Sequence, residues 1–182
     1  MRWVLDACVL YPTVMREMLL GAAKSGFFDP VWSARLLEEW AHAAARLDAS
    51  QELQARGEIA LAQAAFPTAE VPPAPGLEAR LWLPDPADVH VLATAVSSSA
   101  DGIITLNAKD FPRHILAEEG VQRIDPDGVL MQFWQDDAVR MAAVAAQVLR
   151  QARAMSGEDW SMRGLMKKAR LPRFGKAVAH LS

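Results

Sequence analysis

The segment Ala100-Asp101-Gly102-Ile103-Ile104-Thr105-Leu106-Asn107-Ala108-Lys109-Asp110 carries the clearest strand signal in the chain. The turn-forming pair Asp101 and Gly102 leads into residues 103–106, which form a continuous apolar run. Such a run is typical of a strand that is covered on both faces, as in a parallel sheet. We therefore predict a buried strand here, with residues 107–110 forming the loop at its carboxyl end.

Strands and helices alternate on either side of this segment. Such alternation favours an open parallel α/β sheet with right-handed crossovers. The other predicted strands are residues 3–5 and 121–124, with a strand remnant at Val71 after a proline-rich break that begins at Pro67. The predicted helices are residues 12–24, 34–47, 48–65, 85–98 and 125–134. Gly57 is predicted to interrupt the third helix, and residues 27–32 are predicted to form an extended connector.

The chain has 182 residues, a length that favours one domain or one domain with a tail. Its net charge of −3 is distributed unevenly. Residues 1–135 contain 10 Lys and Arg against 18 Asp and Glu, whereas residues 136–182 contain 9 against 4. We therefore predict a carboxylate-rich domain over residues 1–135 and a helical, basic extension over residues 136–182. An acidic body suits cations and a basic end suits phosphates, although a basic end is often only a solvated surface.

Several classes of protein are disfavoured by simple features of the sequence. The first apolar run is short and ends at Asp6, which argues against a signal peptide or a membrane span there, and no later run is long enough to cross a bilayer. A soluble cytoplasmic protein is expected. Cys8 is the only cysteine, which excludes an internal disulfide and a multi-cysteine zinc site. The chain also lacks a glycine-rich phosphate loop, a Gly-x-Ser-x-Gly motif and a histidine pair at metal-ligand spacing.

Polar side chains follow two of the predicted strands directly. Asp6 follows the first strand, whereas Asn107 and Asp110 follow the strand at residues 103–106. Ligands of open α/β sheets bind beyond the carboxyl ends of the strands, so these positions favour a binding site. Asp110 is the stronger metal-ligand candidate because it is charged, while Asn107 and Thr105 could orient a carboxylate, water or phosphate. A turn or capping role for Asp6 stays open.

The two acids in the helix predicted at residues 34–47 can be separated by helical geometry. With Trp40 at the centre of the buried face, a rotation of about 100° per residue puts Glu38 at about 160° and Glu39 at about −100°. Glu38 then points to solvent, and Glu39 lies at the edge of the buried face. Glu39 is the better ligand candidate, although two solvated acids remain an alternative.

Asp88 lies at the head of an apolar stripe on the helix predicted at residues 85–98. An acid on the inward face of a helix is costly to bury unless a partner such as a metal ion pairs with it. Favourable placement against the helix dipole is the alternative. Asp85 is expected to cap this helix rather than to bind metal. His90 lies about 160° from the centre of the stripe, so we expect it to be exposed. The stripe consists of Val91, Leu92, Ala95 and Val96.

Four motifs in this order make the chain resemble the PIN-domain family of metal-dependent ribonucleases, most closely the bacterial branch that includes VapC-type toxins. The resemblance covers roughly residues 1–130. The motifs are Val4-Leu5-Asp6-Ala7-Cys8-Val9-Leu10-Tyr11-Pro12, Glu38-Glu39-Trp40, Leu83-Pro84-Asp85-Pro86-Ala87-Asp88-Val89-His90-Val91-Leu92-Ala93 and Ile104-Thr105-Leu106-Asn107-Ala108-Lys109-Asp110-Phe111.

The resemblance implies a three-layer α/β/α domain with a central parallel sheet and an acidic pocket that binds Mg²⁺ or Mn²⁺. The acidic quartet of the family carries over onto Asp6, Glu39, Asp88 and Asp110, as both metal ligands and catalytic residues. Two positions depart from the family pattern. Cys8 stands where members commonly have Asn, and many members have Asp where this chain has Asn107, with Asp110 three residues further on.

The activity implied by the resemblance is metal-dependent endonucleolytic hydrolysis of RNA, in a toxin of a type II toxin–antitoxin system. A small antitoxin would then be a partner, and the apolar composition also leaves room for a homodimer. The first alternative is a non-catalytic PIN-fold protein that binds RNA or a partner, which the complete acidic quartet disfavours. A hydrolase of small phosphate esters is a further alternative.

The end of the chain combines basic and apolar residues in a pattern that predicts one short helix, a break at Pro172 and another turn or two. Phosphate binding and simple solvation of the basic residues are both compatible with this pattern. The candidate RNA-binding residues are Arg163, Lys167, Lys168, Arg170, Arg173 and Lys176.

Overall fold

A computed structural model describes residues 1–180 of the chain. Within that range it contains one sheet of five parallel strands in the order β3-β2-β1-β4-β5. The predicted α/β fold class is therefore confirmed. The strands are β1 (Arg2–Leu5), β2 (Asp29–Ser33), β3 (Glu70–Val71), β4 (Gly102–Ile104) and β5 (Gln122–Ile124).

Helices connect the strands and continue after the last one. A 3-10 turn (Pro86–Asp88) directly precedes the sixth α-helix. The helices are α1 (Ala7–Leu10), α2 (Thr13–Lys24), α3 (Ala34–Ala45), α4 (Ala49–Ala65), α5 (Pro75–Arg80), α6 (Val89–Ser97), α7 (Arg113–Glu118), α8 (Pro126–Asp136), α9 (Ala138–Ser156), α10 (Met162–Lys168) and α11 (Pro172–Ala177).

The two central strands are the most apolar. Val4 and Leu5 of β1 lie in register with Ile103 and Ile104 of β4, and all four side chains are fully buried. Burial on both faces explains why the apolar run at the start of the predicted strand does not alternate with polar residues. Right-handed crossovers put α3 and α4 on one face of the sheet and α5, α6 and α7 on the other.

The strand order changes direction at β1. The chain moves outward from β1 through β2 to β3, and then returns to the other side of β1 to form β4 and β5. The carboxyl ends of β1 and β4 therefore flank a topological switch point, which is where open α/β sheets bind their ligands. Residues directly after these two strands lie at this point.

Capping residues define the starts of α3 and α4. The Ser33 hydroxyl accepts a hydrogen bond from the Leu36 amide at 3.3 Å. The Asp48 carboxylate accepts from the amides of Ser50 and Gln51 at 2.8 Å and 2.9 Å. Each cap satisfies N–H groups that have no partner inside the helix. The predicted interruption at Gly57 is wrong, because α4 continues through it.

Several short elements differ from the sequence prediction. The predicted connector at residues 27–32 contains β2, whose buried Val31 and Trp32 lie beside β1. Two helices of six residues, α5 and α7, were not predicted. Helices of this length span less than two turns, so their apolar residues show too little periodicity for recognition.

The chain divides into two compact units. The first comprises Met1–Tyr11 and Phe28–Ile124, and it contains the whole sheet. The second comprises Pro12–Phe27 and the described residues from Asp125 onward, and it is helical. A helical C-terminal region is thereby confirmed, whereas the division at residue 135 stays a prediction.

Close packing holds the second unit together. A Cβ atom at Gly21 of α2 would lie 2.7 Å from Val144 Cγ1 of α9, so glycine allows these two helices to approach each other. The buried Asp127 of α8 accepts hydrogen bonds from the Arg173 and Phe174 amides at the start of α11. These contacts tie α2 to α9 and α11 to α8.

Among residues 1–180, no helix combines the length and apolar character that crossing a membrane requires.

Candidate metal centre

Asp6 lies directly after β1 and is held by the segment that follows β4. Its backbone N–H donates to the Ile104 carbonyl at 3.2 Å, which continues the ladder between the two strands. The Thr105 hydroxyl donates to Asp6 Oδ2 at 2.6 Å, and the Asp6 residue is only 8% exposed. The predicted role of Thr105 as a hydrogen-bonding neighbour agrees with this contact. Asp6 is therefore fixed in one orientation at the switch point.

Cys8 belongs to the same hydrogen-bond network. Its Sγ lies 3.0 Å from Asp6 Oδ2 and donates to it, and it accepts from the Leu106 amide at 3.3 Å. Burial and the nearby Asp6 charge raise the pKa of the Cys8 thiol to about 12, which keeps the S–H donor in place at neutral pH. The thiol thus supplies Asp6 with a hydrogen bond in addition to the one from Thr105.

Asn107 connects the loop after β4 to the start of α6. Its Nδ2 donates to Asp88 Oδ2 at 3.1 Å, and its Oδ1 accepts from the Asp110 amide at 3.3 Å. The Asn107 amide itself donates to the Thr105 hydroxyl at 2.9 Å. One side-chain amide therefore sets the positions of two predicted ligand residues, the kind of supporting contact that orients metal ligands.

Three carboxylates form the closest acidic cluster in the described chain. One oxygen from each of Asp85, Asp88 and Asp110 can be chosen so that all three atoms lie within 4.8 Å of one another. Asp85 caps the 3-10 turn as predicted, because its Oδ1 accepts from the Ala87 amide at 2.9 Å. A carboxylate has two oxygens, so capping does not prevent it from taking part in the cluster. The sequence prediction had set Asp85 aside on capping grounds alone.

The negative charges that act on Asp88 come from the other three predicted acids and from Asp85. Asp88 is half-buried, and its pKa is raised from 3.8 to about 6. Burial is the largest cause, followed by the negative charges of Asp6, Asp85, Asp110 and Glu39. Like charges close together disfavour ionisation, whereas a cation among them favours it. The four predicted acids and Asp85 therefore form one electrostatic site that suits a positive ion.

Glu39 enters this site from α3. It is half-buried, whereas Glu38 is exposed and pairs with Arg56 at 2.9 Å, as the helical phase predicts. Arg35 Nε lies 3.3 Å from Glu39 Oε1, and His90 Nε2 lies 2.9 Å from the same oxygen. Burial raises the pKa of Glu39, but His90 and Arg35 together outweigh it and hold the pKa below its usual range. Glu39 is thus negatively charged at neutral pH.

The expectation that His90 is exposed is wrong, because the residue is only 3% exposed. The helix α6 contacts β1, β2, β4 and α5, and every residue from His90 to Ala95 is buried. A helix covered on several sides buries residues well outside its apolar stripe, so helical phase does not report exposure there. The preceding 3-10 turn also changes the rotation per residue between Asp88 and the helix.

The basic residues near the C-terminus have different surroundings from one another. Arg173 pairs with Asp125 at 3.0 Å and with Asp127 at 3.1 Å, which raises its pKa and ties it to α8. Lys168 Nζ lies 4.5 Å from the centre of the Trp160 ring, within cation–π range. The other four candidate RNA-binding residues, Arg163, Lys167, Arg170 and Lys176, are exposed.

A comparison with known families gives one match. The profile of the PIN domain matches residues 2–109, which is more than half of the chain, and Asp110 lies directly after the matched segment. No similar curated protein and no similar solved structure was found. PIN domains are typically metal-dependent nucleases that act on RNA, and the acidic cluster described above could bind such a metal. The chain belongs to the PIN domain family.

Proposed function

We propose that this protein is an Mg²⁺- or Mn²⁺-dependent endoribonuclease and the toxin of a type II toxin–antitoxin system of the VapC type. The observation that carries the proposal is the convergence of Asp6, Glu39, Asp88 and Asp110, together with Asp85, at the switch point of the sheet. Hard divalent cations prefer oxygen ligands, and this site offers carboxylates from several segments of the chain.

The donor set fits such an ion. Burial and repulsion from the neighbouring carboxylates together raise the pKa of Asp88, and a bound cation would relieve the repulsion. Asp85, Asp88 and Asp110 would hold the ion most directly, and Asp6 and Glu39 would complete the site. When bound, a divalent ion neutralises phosphate charge and promotes attack by water on the phosphodiester.

The rest of the site keeps these carboxylates in position for RNA. Thr105 and Cys8 fix Asp6, and Asn107 fixes Asp88 and the Asp110 loop. Thr105 and Asn107 are also the proposed polar neighbours for water or phosphate. Fixed donors and acceptors contribute to catalysis because they need no rearrangement when charge develops on the reacting phosphate.

RNA cleavage by matched variants tests the proposal. Wild-type protein should cut RNA in Mn²⁺ and stop in EDTA, and Asp88→Asn and Glu39→Gln should each reduce cleavage by at least about 100-fold. Glu38→Gln is the matched control for Glu39→Gln, because Glu38 points away from the site and should leave cleavage unchanged. DNA and a generic phosphate ester serve as substrates that should not be cut.

The outcomes separate the alternatives. RNA that binds without being cut, in Mg²⁺ and in Mn²⁺, would indicate a non-catalytic RNA-binding protein. Cleavage of the generic ester in preference to RNA would indicate a hydrolase of small phosphate esters. Full cleavage by Asp88→Asn would rule out the assigned site.

The exposed basic residues are proposed to bind the RNA backbone. Deleting the segment would also remove buried Met166, Leu171 and Phe174, so point substitutions are the sharper test. Replacing Arg163, Lys167 and Lys176 together by Gln should lower RNA affinity and reduce the salt dependence of binding. For single strands each lost phosphate contact reduces the slope of log K against log salt by about 0.7. An unchanged slope would contradict phosphate contact. The full proposed set is Arg163, Lys167, Lys168, Arg170, Arg173 and Lys176.

The toxin role makes a prediction about cells. Expression of the protein in the bacterial cytoplasm should arrest growth, and Asp88→Asn should remove the arrest. A small antitoxin, encoded beside it with a DNA-binding segment, should bind the protein and block the acidic site. Growth arrest by Asp88→Asn equal to that of the wild type would contradict a nuclease toxin. The homodimer also stays a proposal, which sedimentation equilibrium of the purified protein would test.

A further inference from the structure

His90 is a buried polar residue that the proposed mechanism does not use. It lies two residues after Asp88 in the first turn of α6, and only 3% of its surface is exposed. Within the described chain, neither ring nitrogen has a hydrogen-bond partner in good geometry. Nε2 nevertheless lies 2.9 Å from Glu39 Oε1. The separation is within hydrogen-bond range, so Nε2 and the Glu39 carboxylate are in short polar contact.

Burying such a ring does not favour folding. A buried nitrogen that lacks a partner loses its hydration without replacement, whereas an apolar side chain of similar size would avoid that cost. Buried polar groups without partners therefore call for an explanation beyond packing. The neighbouring positions Val91 and Leu92 show that this part of α6 accepts apolar side chains.

Glu39 needs a rigid neighbour in order to keep one orientation. Its side chain has three rotatable bonds and is 37% exposed, and its other partner, Arg35, is 53% exposed. An exposed pair four residues apart on a helix contributes only weakly, because both side chains can move into solvent. His90 is packed in the interior, so its contact is the one that fixes where the carboxylate points.

We propose that His90 is a positioning residue that holds the Glu39 carboxylate toward the acidic cluster of Asp85, Asp88 and Asp110. This inference rests on the proposed function, because that function gives Glu39 its role in binding the metal ion. His90 and Glu39 come from α6 and α3, on opposite faces of the sheet, so their contact also joins the two elements that bring acids to the site. Asp88 and His90 lie within one turn, which links the position of Glu39 to that of Asp88.

Three variants test the proposal: His90→Leu, which removes the polar ring, His90→Gln, which keeps a donor near Nε2, and Glu39→Gln. Mn²⁺ affinity is measured by titration calorimetry, and the melting temperature is measured in EDTA. His90→Leu should weaken Mn²⁺ binding by about 10-fold or more, the effect usual for residues that orient ligands, without lowering the melting temperature. His90→Gln should restore most of the affinity.

The double variant separates positioning from packing. If His90 acts through Glu39, adding His90→Leu to Glu39→Gln should weaken Mn²⁺ binding no further. A structural role alone would give a lower melting temperature for His90→Leu with unchanged Mn²⁺ affinity, and that result would overturn the proposal. Equal and additive losses from the two substitutions would overturn it as well.

An NMR measurement keeps this proposal distinct from the proposed function. The imidazole ¹⁵N shifts of His90, recorded at fixed pH without metal, should change in Glu39→Gln and stay constant in Glu38→Gln. If the wild type binds no Mn²⁺ and cuts no RNA, the proposed function fails, while a selective shift change still establishes the pairing. Shifts that are insensitive to Glu39→Gln would refute the pairing whatever the metal data show.

Discussion

Asp88→Asn should stabilise the metal-free protein, although it removes a residue from the proposed active site. The pKa of Asp88 rises from 3.8 to about 6 because the folded protein buries the carboxylate and surrounds it with four other acids. The folded state therefore binds the proton more tightly than the unfolded state does. The stability that comes with the proton is fully present below about pH 4 and is lost as pH rises through about 6.

The size of the effect follows from the pKa change. Without screening by solvent, a change of this size corresponds to roughly 3 kcal/mol of destabilisation at neutral pH. Asp88 is only half-buried, and solvent screens interactions at such a position, so about 1 kcal/mol is the expected gain for Asn. For a protein of this length, 1 kcal/mol corresponds to a melting temperature about 2–4 °C higher.

Thermal unfolding in EDTA at pH 7.5 and pH 4.5 measures this gain. The difference in melting temperature between Asp88→Asn and the wild type should be largest at pH 7.5. It should be smaller at pH 4.5, where wild-type Asp88 keeps its proton. Asp159→Asn is the control, because that carboxylate is 96% exposed. Saturating Mn²⁺ should give the wild type the higher melting temperature, since an ion at 100 times its Kd stabilises the wild type by about 2.7 kcal/mol. A variant that melts below the wild type in EDTA at pH 7.5, or a gain of equal size at both pH values, would refute the reasoning.

Three further substitutions test other parts of the structure. Gly57→Ala should stabilise the protein by about 0.5–1 kcal/mol in urea unfolding, because Gly57 lies inside α4 and an added Cβ meets no atom within 4 Å. A loss of stability would show that the glycine is needed. Asp127→Ala should lower the free energy of unfolding by about 2–3 kcal/mol in the same assay, since it removes three hydrogen bonds from Arg173 and Phe174. An unchanged free energy of unfolding would show that these hydrogen bonds do not hold α11 to α8. Asn107→Ala should cost about 1–2 kcal/mol and weaken Mn²⁺ binding in calorimetry; unchanged affinity would mean that the site does not need this amide.

Much of the site could be predicted from the sequence because its residues lie at positions that the fold class defines. Asp6 and Asp110 follow strands, and the carboxyl ends of neighbouring parallel strands lie close together. Glu39 and Asp88 could be oriented by helical rotation, and the half-buried positions of both agree with that reasoning. The position after a strand and the rotation along a helix each concern a single element, so both could be applied to these residues from the sequence alone.

The features that were missed depend on contacts between elements. The burial of His90 follows from the packing of α6 against three strands and α5, which no periodicity within α6 reports. The hydrogen bond that Cys8 accepts from the Leu106 amide joins residues 98 positions apart, so nothing close to Cys8 in the sequence indicates it. Asp85 was set aside because one of its oxygens caps a turn, and the sequence does not show where the other oxygen points.

The hydrogen bond between Thr105 and Asp6 has a consequence for the synthesis of the protein, because it joins residues 99 positions apart. The ribosome makes Asp6 well before strand β4 and Thr105, which complete its surroundings. Contacts between distant residues form late in folding, since closing a long loop costs entropy before any contact compensates for it. The acidic site is therefore incomplete in a nascent chain until the residues up to Asp110 have emerged and folded, and any chemistry at that site can begin only then.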